Sequence, residues 1–114
     1  MKVIIKEPVV PAVVASIDGT LKGMQDVVGG YIQTIPLTWM AHINKSDLSC
    51  RSLRGKDFIV VLNEEGKLEG LAYNMPLHGG DFIAGTLIIC REDDETMVGL
   101  TDEEAGIILG LIGA

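Results

Sequence analysis

The chain has 114 residues and a formal net charge of −7, with 47% hydrophobic and 22% charged residues. That length and apolar content predict one ordered domain over residues 1–114 with its own core, and they exclude a disordered tail. The acidic balance argues against a nucleic-acid partner; it suits solubility, and it also suits a mimic of DNA.

Met1 to Lys6 reads as a first strand and Val9 to Ile17 as a second, and Pro8 and Pro11 push their link toward an extended or edge conformation. Lys6, Glu7, Pro8 and Pro11 also interrupt any apolar stretch of a secretory leader, so none is expected. Leu21, Met24, Val27 and Val28 then fall on one helical face. Asp18 or Thr20 can cap its start, and Gly29-Gly30 supplies a stop. YIQTI follows as a strand. Thr38 to Lys56 has mixed charge, the single Trp and no clean period, which predicts a long loop with one helical turn.

DFIVVL, NEEG and KLEGLAY together give a hairpin signal. DFIAGTLIIC reads as one continuous apolar strand at the centre of the sheet. REDDE reads as an acidic turn, and TMVGL as a short strand. In the last segment, Thr101 and Glu104 fit a capping box, with Asp102 and Glu103 in the favourable first turn. The helix body is apolar on nearly all sides and too short to span a bilayer, so it should bury against the sheet or a second chain. The order β-β-α-β, long loop, β-β-β-β-α predicts an α+β fold: a mainly antiparallel sheet with two helices packed on it.

Few residues suggest catalysis. Cys50 and Cys90 are far apart and in no metal-ligand spacing, which predicts free thiols in a reducing cytoplasm. His42 and His78 are the only histidines, and neither sits in a recognisable triad context. The expectation is a non-enzymatic protein with no metal and no cofactor. The stretch LAYNMPLHGGDFIAGT contains neither GxxxxGK[ST] nor GxGxxG. Pro76 and Gly79-Gly80 make it a turn that launches a strand.

Charge distribution points to binding. Thr38 to Asp57 contains Lys45, Arg51, Arg54 and Lys56 against Asp47 and Asp57, a net +2 that leaves −9 on the remainder. A basic island in an acidic chain can focus a small anion while the whole molecule repels polyanions. Arg51 and Arg54 suit phosphate, and Trp39 and His42 in the same segment could stack on a base. Tyr73, Asn74 and His78 beside the Pro76 bend, with Tyr31, could form an opposing wall. These eight residues are the candidate ligand site.

VGGYIQTIPL, VVLNEEGKLEGLAYN and GDFIAGTLII together resemble the DUF3846 family of small proteins. The strongest pieces are Gly29-Gly30-Tyr31, Asn63 to Gly70, Asn74, Gly80-Asp81 and Gly85-Thr86. The likeness covers most of residues 1–37 and 57–104, and the main departure is the 38–56 loop, which is often shorter in the family. The family is common in bacteriophages and mobile elements and has no assigned function. The resemblance therefore implies a fold and a viral origin, and it supplies no catalytic residues. With the basic, aromatic loop, it leads to the expectation of a phage counter-defence protein. Such a protein would act in the host cytoplasm as a homo-oligomer and sequester a small nucleotide immune signal. An acidic, protein-binding inhibitor of a host defence complex is the alternative.

Overall fold

A computed structural model describes residues 1–113. Among the described residues, eight strands and two helices follow one another as β1 (Lys2–Lys6), β2 (Val13–Ser16), α1 (Leu21–Val28), β3 (Ile32–Pro36), β4 (Asp57–Asn63), β5 (Tyr73–Pro76), β6 (Phe82–Ala84), β7 (Leu87–Asp93), β8 (Thr96–Val98) and α2 (Asp102–Leu111). The main sheet has the order β2-β1-β7-β4-β3, with β8 continuing beside the far half of β7. Strands β5 and β6 form a separate two-stranded sheet. Every pairing is antiparallel. The fold is α+β, as the order of elements predicts.

The central strand carries the apolar run that the sequence advertises. Leu87, Ile88, Ile89 and Cys90 are all fully buried, because β7 lies between β1 and β4 and is covered on both faces. Alternation then sorts the core into two layers. On one face, Val3, Ile59, Val61, Ile88 and Cys90 pack against Met24 and Val28 of α1. On the other, Ile4, Ile35, Phe58, Val60, Leu87 and Ile89 meet Ala105 and Ile108 of α2, together with Leu37, Met40, Ile43 and Leu53 from the long connection. Each helix therefore covers its own face of the sheet.

The caps explain why these helices begin where they do. The Thr20 hydroxyl accepts from the Gly23 amide at 3.0 Å, and Gly29, at φ 81°, ends α1 in the left-handed region that glycine favours. The Thr101 hydroxyl accepts from the Glu104 amide at 3.1 Å, while Glu104 Oε1 accepts from the Thr101 amide at 2.9 Å. That is the predicted capping box. The apolar side chains of α2 are turned into the chain's own core, and Asp102, Glu103, Gly106 and Gly110 are its exposed positions.

Four local readings differ from the structure. KLEGLAY does not return along β4. Residues 64–70 form a tied series of turns, and the chain re-enters extended structure only at β5, which pairs with β6. β4 already has β3 and β7 as neighbours, so it has no free edge for a hairpin partner. DFIAGTLIIC is two strands, broken at Gly85 (φ 89°), where the chain passes from the small sheet to the large one. Within REDDE only Asp94 and Glu95 form the turn, with Arg91, Glu92 and Asp93 paired to β8. The long connection holds two 3-10 turns, Leu37–Trp39 and Lys45–Leu48, in place of one helical turn.

Candidate ligand-binding cleft

The long connection does two separate things. Its first half folds over the bend after β5. Met40 bridges Leu77, the Ala41 amide donates to Pro76 O at 3.0 Å, and His78 Nε2 lies 2.9 Å from Ile43 O. A carbonyl only accepts, so Nε2 carries the proton in this contact. Its second half runs to α2, where Ser52 Oγ donates to Glu103 Oε1 at 2.5 Å and Lys56 Nζ donates to Glu104 Oε2 at 2.6 Å. Asn44 fixes the start of the second 3-10 turn through a reciprocal cap with Asp47.

Between the first half of that connection, the turns at 64–70 and the small sheet lies a cleft of about 870 Å³. This is within the size range of small-molecule sites. Ile35 and Leu62 of the main sheet line it. Trp39, Ile43 and Leu77 contribute from the connection and the bend, and Phe82, Ala84 and Leu68 contribute from the small sheet and the turns. Trp39 is 53% exposed and Leu68 88% exposed, so both present apolar surface to the opening of the cleft. Polar groups border this lining: Gln33, Thr38, Lys45, Glu64, Lys67, His78 and Asp81.

The cleft's charges are nearly balanced. Lys67 is ion-paired with Asp81, and its ammonium also lies 4.8 Å from the centre of the Phe82 ring. The Lys67 hydrogen bond, helped by the Phe82 amide at 2.8 Å, holds the Asp81 carboxyl below the usual carboxylate range. Lys45 makes no ion pair among the described residues, so it is the cation most open to a ligand's anion. Gly66 lets the turn lie against the small sheet: a Cβ there would stand 2.5 Å from the Ala84 carbonyl oxygen.

Of the eight sequence candidates, Trp39 and His78 line this cleft. Tyr73 packs its ring on Phe82, with centroids 5.3 Å apart, and so supports one wall from outside. His42 is exposed next to the buried Ile43. Arg51 and Arg54 are exposed in the turns that lead to Lys56, away from the cleft lining. Asn74 is buried and its amide is committed: Nδ2 donates to Lys6 O at 2.7 Å and Gly85 O at 2.8 Å, and Oδ1 accepts from Lys6 Nζ at 3.2 Å. It ties the small sheet to β1. Tyr31 lines a second depression of about 490 Å³ that also includes Asp26, Glu65 and Glu69.

Asn63 lies between the two depressions and lines both. Its Nδ2 donates to Glu69 Oε1 at 3.0 Å and to Val28 O at 3.3 Å, and its Oδ1 accepts from the Glu65 amide at 2.8 Å. Among the cleft residues outside the eight candidates are Lys45, which belongs to the basic island of the sequence analysis, and Lys67, Leu68, Asp81 and Phe82, which sequence reasoning missed. Lys67 and Leu68 were assigned to a strand, which hid their place on a turn at the rim.

These features define a small α+β protein with a preformed, largely apolar cleft edged by a few polar groups. The chain belongs to the DUF3846 family, a domain of unknown function, whose model matches residues 1–112. Comparison with curated proteins and with solved structures finds no match.

Proposed function

We propose that this protein binds a small nucleotide in the Trp39 cleft and sequesters it without altering it. The observation that supports this most is the half-exposed Trp39 ring on the wall of an 870 Å³ cleft whose lining is mainly apolar. A base stacks on such a ring at little cost in specificity, because every base has a π-face. Lys45 offers a charge for one phosphate, and Lys67 offers a second if the phosphate displaces Asp81. The balanced charge of the rim favours a ligand with few phosphates over a polyanion. In this reading the cleft cations take the part that Arg51 and Arg54 were expected to play.

A phage origin, which the family resemblance implies, would give the activity a purpose: removal of a nucleotide immune signal in an infected host's cytoplasm. The test is calorimetry of the purified protein with cyclic dinucleotides, cyclic ADP-ribose isomers and ADP-ribose conjugates. Saturable binding is expected for one of these classes, weakened about tenfold or more by Trp39→Ala. A flat titration across the panel rejects the proposal. The second reading, an acidic protein-binding inhibitor, draws on the depression formed by Asp26, Glu65 and Glu69. It predicts capture of a DNA-binding host protein from lysate, lost when those acids are neutralised.

A further inference from the structure

The two ends of the main sheet, β2 and β3, differ in chemistry. At the β3 end the exposed side chains include Gln33 and Thr34, Pro36 has no amide to offer, and the acidic depression of Asp26, Glu65 and Glu69 adjoins Tyr31. At the β2 end, Val13 is 52% exposed and Val14 43%, and Val9 and Val10 are exposed in the preceding connection. Residues 8–17 contain no ionisable side chain. Open strands are normally guarded by charge, proline or a bulge. Here Pro8 and Pro11 precede the strand and leave its amides free, and β2 pairs with β1 in unbroken register.

We propose that the β2 edge is where two copies of this chain pair, antiparallel and about a two-fold axis, to continue the sheet across both. The edge's main-chain donors and acceptors call for a strand, and a strand related to itself by a two-fold axis is self-complementary. Val13 and Val14 point to opposite faces, so pairing covers apolar surface on both sides of the joint sheet. Charge favours a second copy over a basic foreign strand. Met1 to Ile17 carry Lys2, Lys6 and Glu7, a net +1, so residues 18–114 carry −8. Two such chains repel along most of their surfaces, and the β2 edge, where residues 8–17 carry no ionisable side chain, is where they approach with no like charges opposed across the joint. A basic partner strand would find its complement at the acid-flanked β3 end instead.

Light scattering on the full chain across a concentration series tests this. The expected result is a dimer whose dissociation constant rises roughly tenfold or more in Val13→Lys and in Val14→Lys, because each places like charges across the joint. Thr34→Lys, on the β3 edge, should leave the dimer intact. Amide hydrogen exchange on the unaltered chain provides a readout that needs no variant: β2 amides should gain protection as concentration rises, and β3 amides should not. A wild type that stays monomeric, a dimer that survives both lysine variants, or concentration-dependent protection at β3 overturns the proposal. So does β2 protection that appears only when another protein is added.

Discussion

Glu104 shows how one residue can serve two structures at once. Only 1% of it is exposed, yet it remains a carboxylate. Burial pushes its pKa up, but the Lys56 ammonium, the Thr101 amide and the nearby charges of Lys56 and Arg91 more than offset this, and the carboxyl is held below its ordinary value of 4.5. Because the folded value is depressed, this group stabilises the fold fully above the unfolded value and stops doing so as the pH falls through the folded one. The expected outcome is a fall in the urea midpoint as the pH drops below about 4.5, a fall that Glu104→Gln flattens. Lys56→Ala should cost about 2 kcal/mol at neutral pH by leaving a buried charge without its closest partner. In the sequence Lys56 counts toward the basic island of the long connection; its partner in the structure is 48 residues away on a helix. A composition-based charge count has no access to that distance.

At the scale of elements, local signals succeeded where the physics is local. The cap at Thr20, the left-handed Gly29 and the capping box at Thr101 and Glu104 were legible because each depends on neighbours within a few residues. KLEGLAY was not, since alternation in a short run says nothing about whether β4 has a free edge. That edge is taken by β3, which arrives from 20 residues upstream. The cleft was partly legible for the same reason. Trp39 and His78 belong to one wall each, but the rim residues Lys67 and Leu68 depended on that misread strand. One turn is a clear target for improvement. Asp94 (φ 50°) and Glu95 (φ 65°) form the two-residue link between β7 and β8, a geometry that asparagine and glycine fit with less strain. Replacing the pair with Asn-Gly should stabilise the chain by about 1 kcal/mol, seen as a thermal midpoint several degrees higher. Gly66→Ala should act in the opposite direction. Its Cβ would press on the Ala84 carbonyl, so both the stability and the shape of the cleft should suffer, read as a lower midpoint and weaker ligand binding.

At the scale of the whole molecule, the two faces of the sheet have separate tasks. One is closed by α1, and the other is shared by α2 and the long connection, which together leave the cleft open beyond Ile35 and Leu62. The central claim is that this cleft takes a nucleotide. Trp39 is the only tryptophan in the chain and stands on the cleft wall, so the tryptophan emission comes from that wall. Titrating the protein with the nucleotide panel while following this emission is the most direct measurement. A saturable change is expected with one class of nucleotide, weakened by Lys45→Glu and unaffected by Arg51→Glu. Emission that stays unchanged across the panel, or a change insensitive to Lys45→Glu and abolished by Arg51→Glu, would contradict the claim.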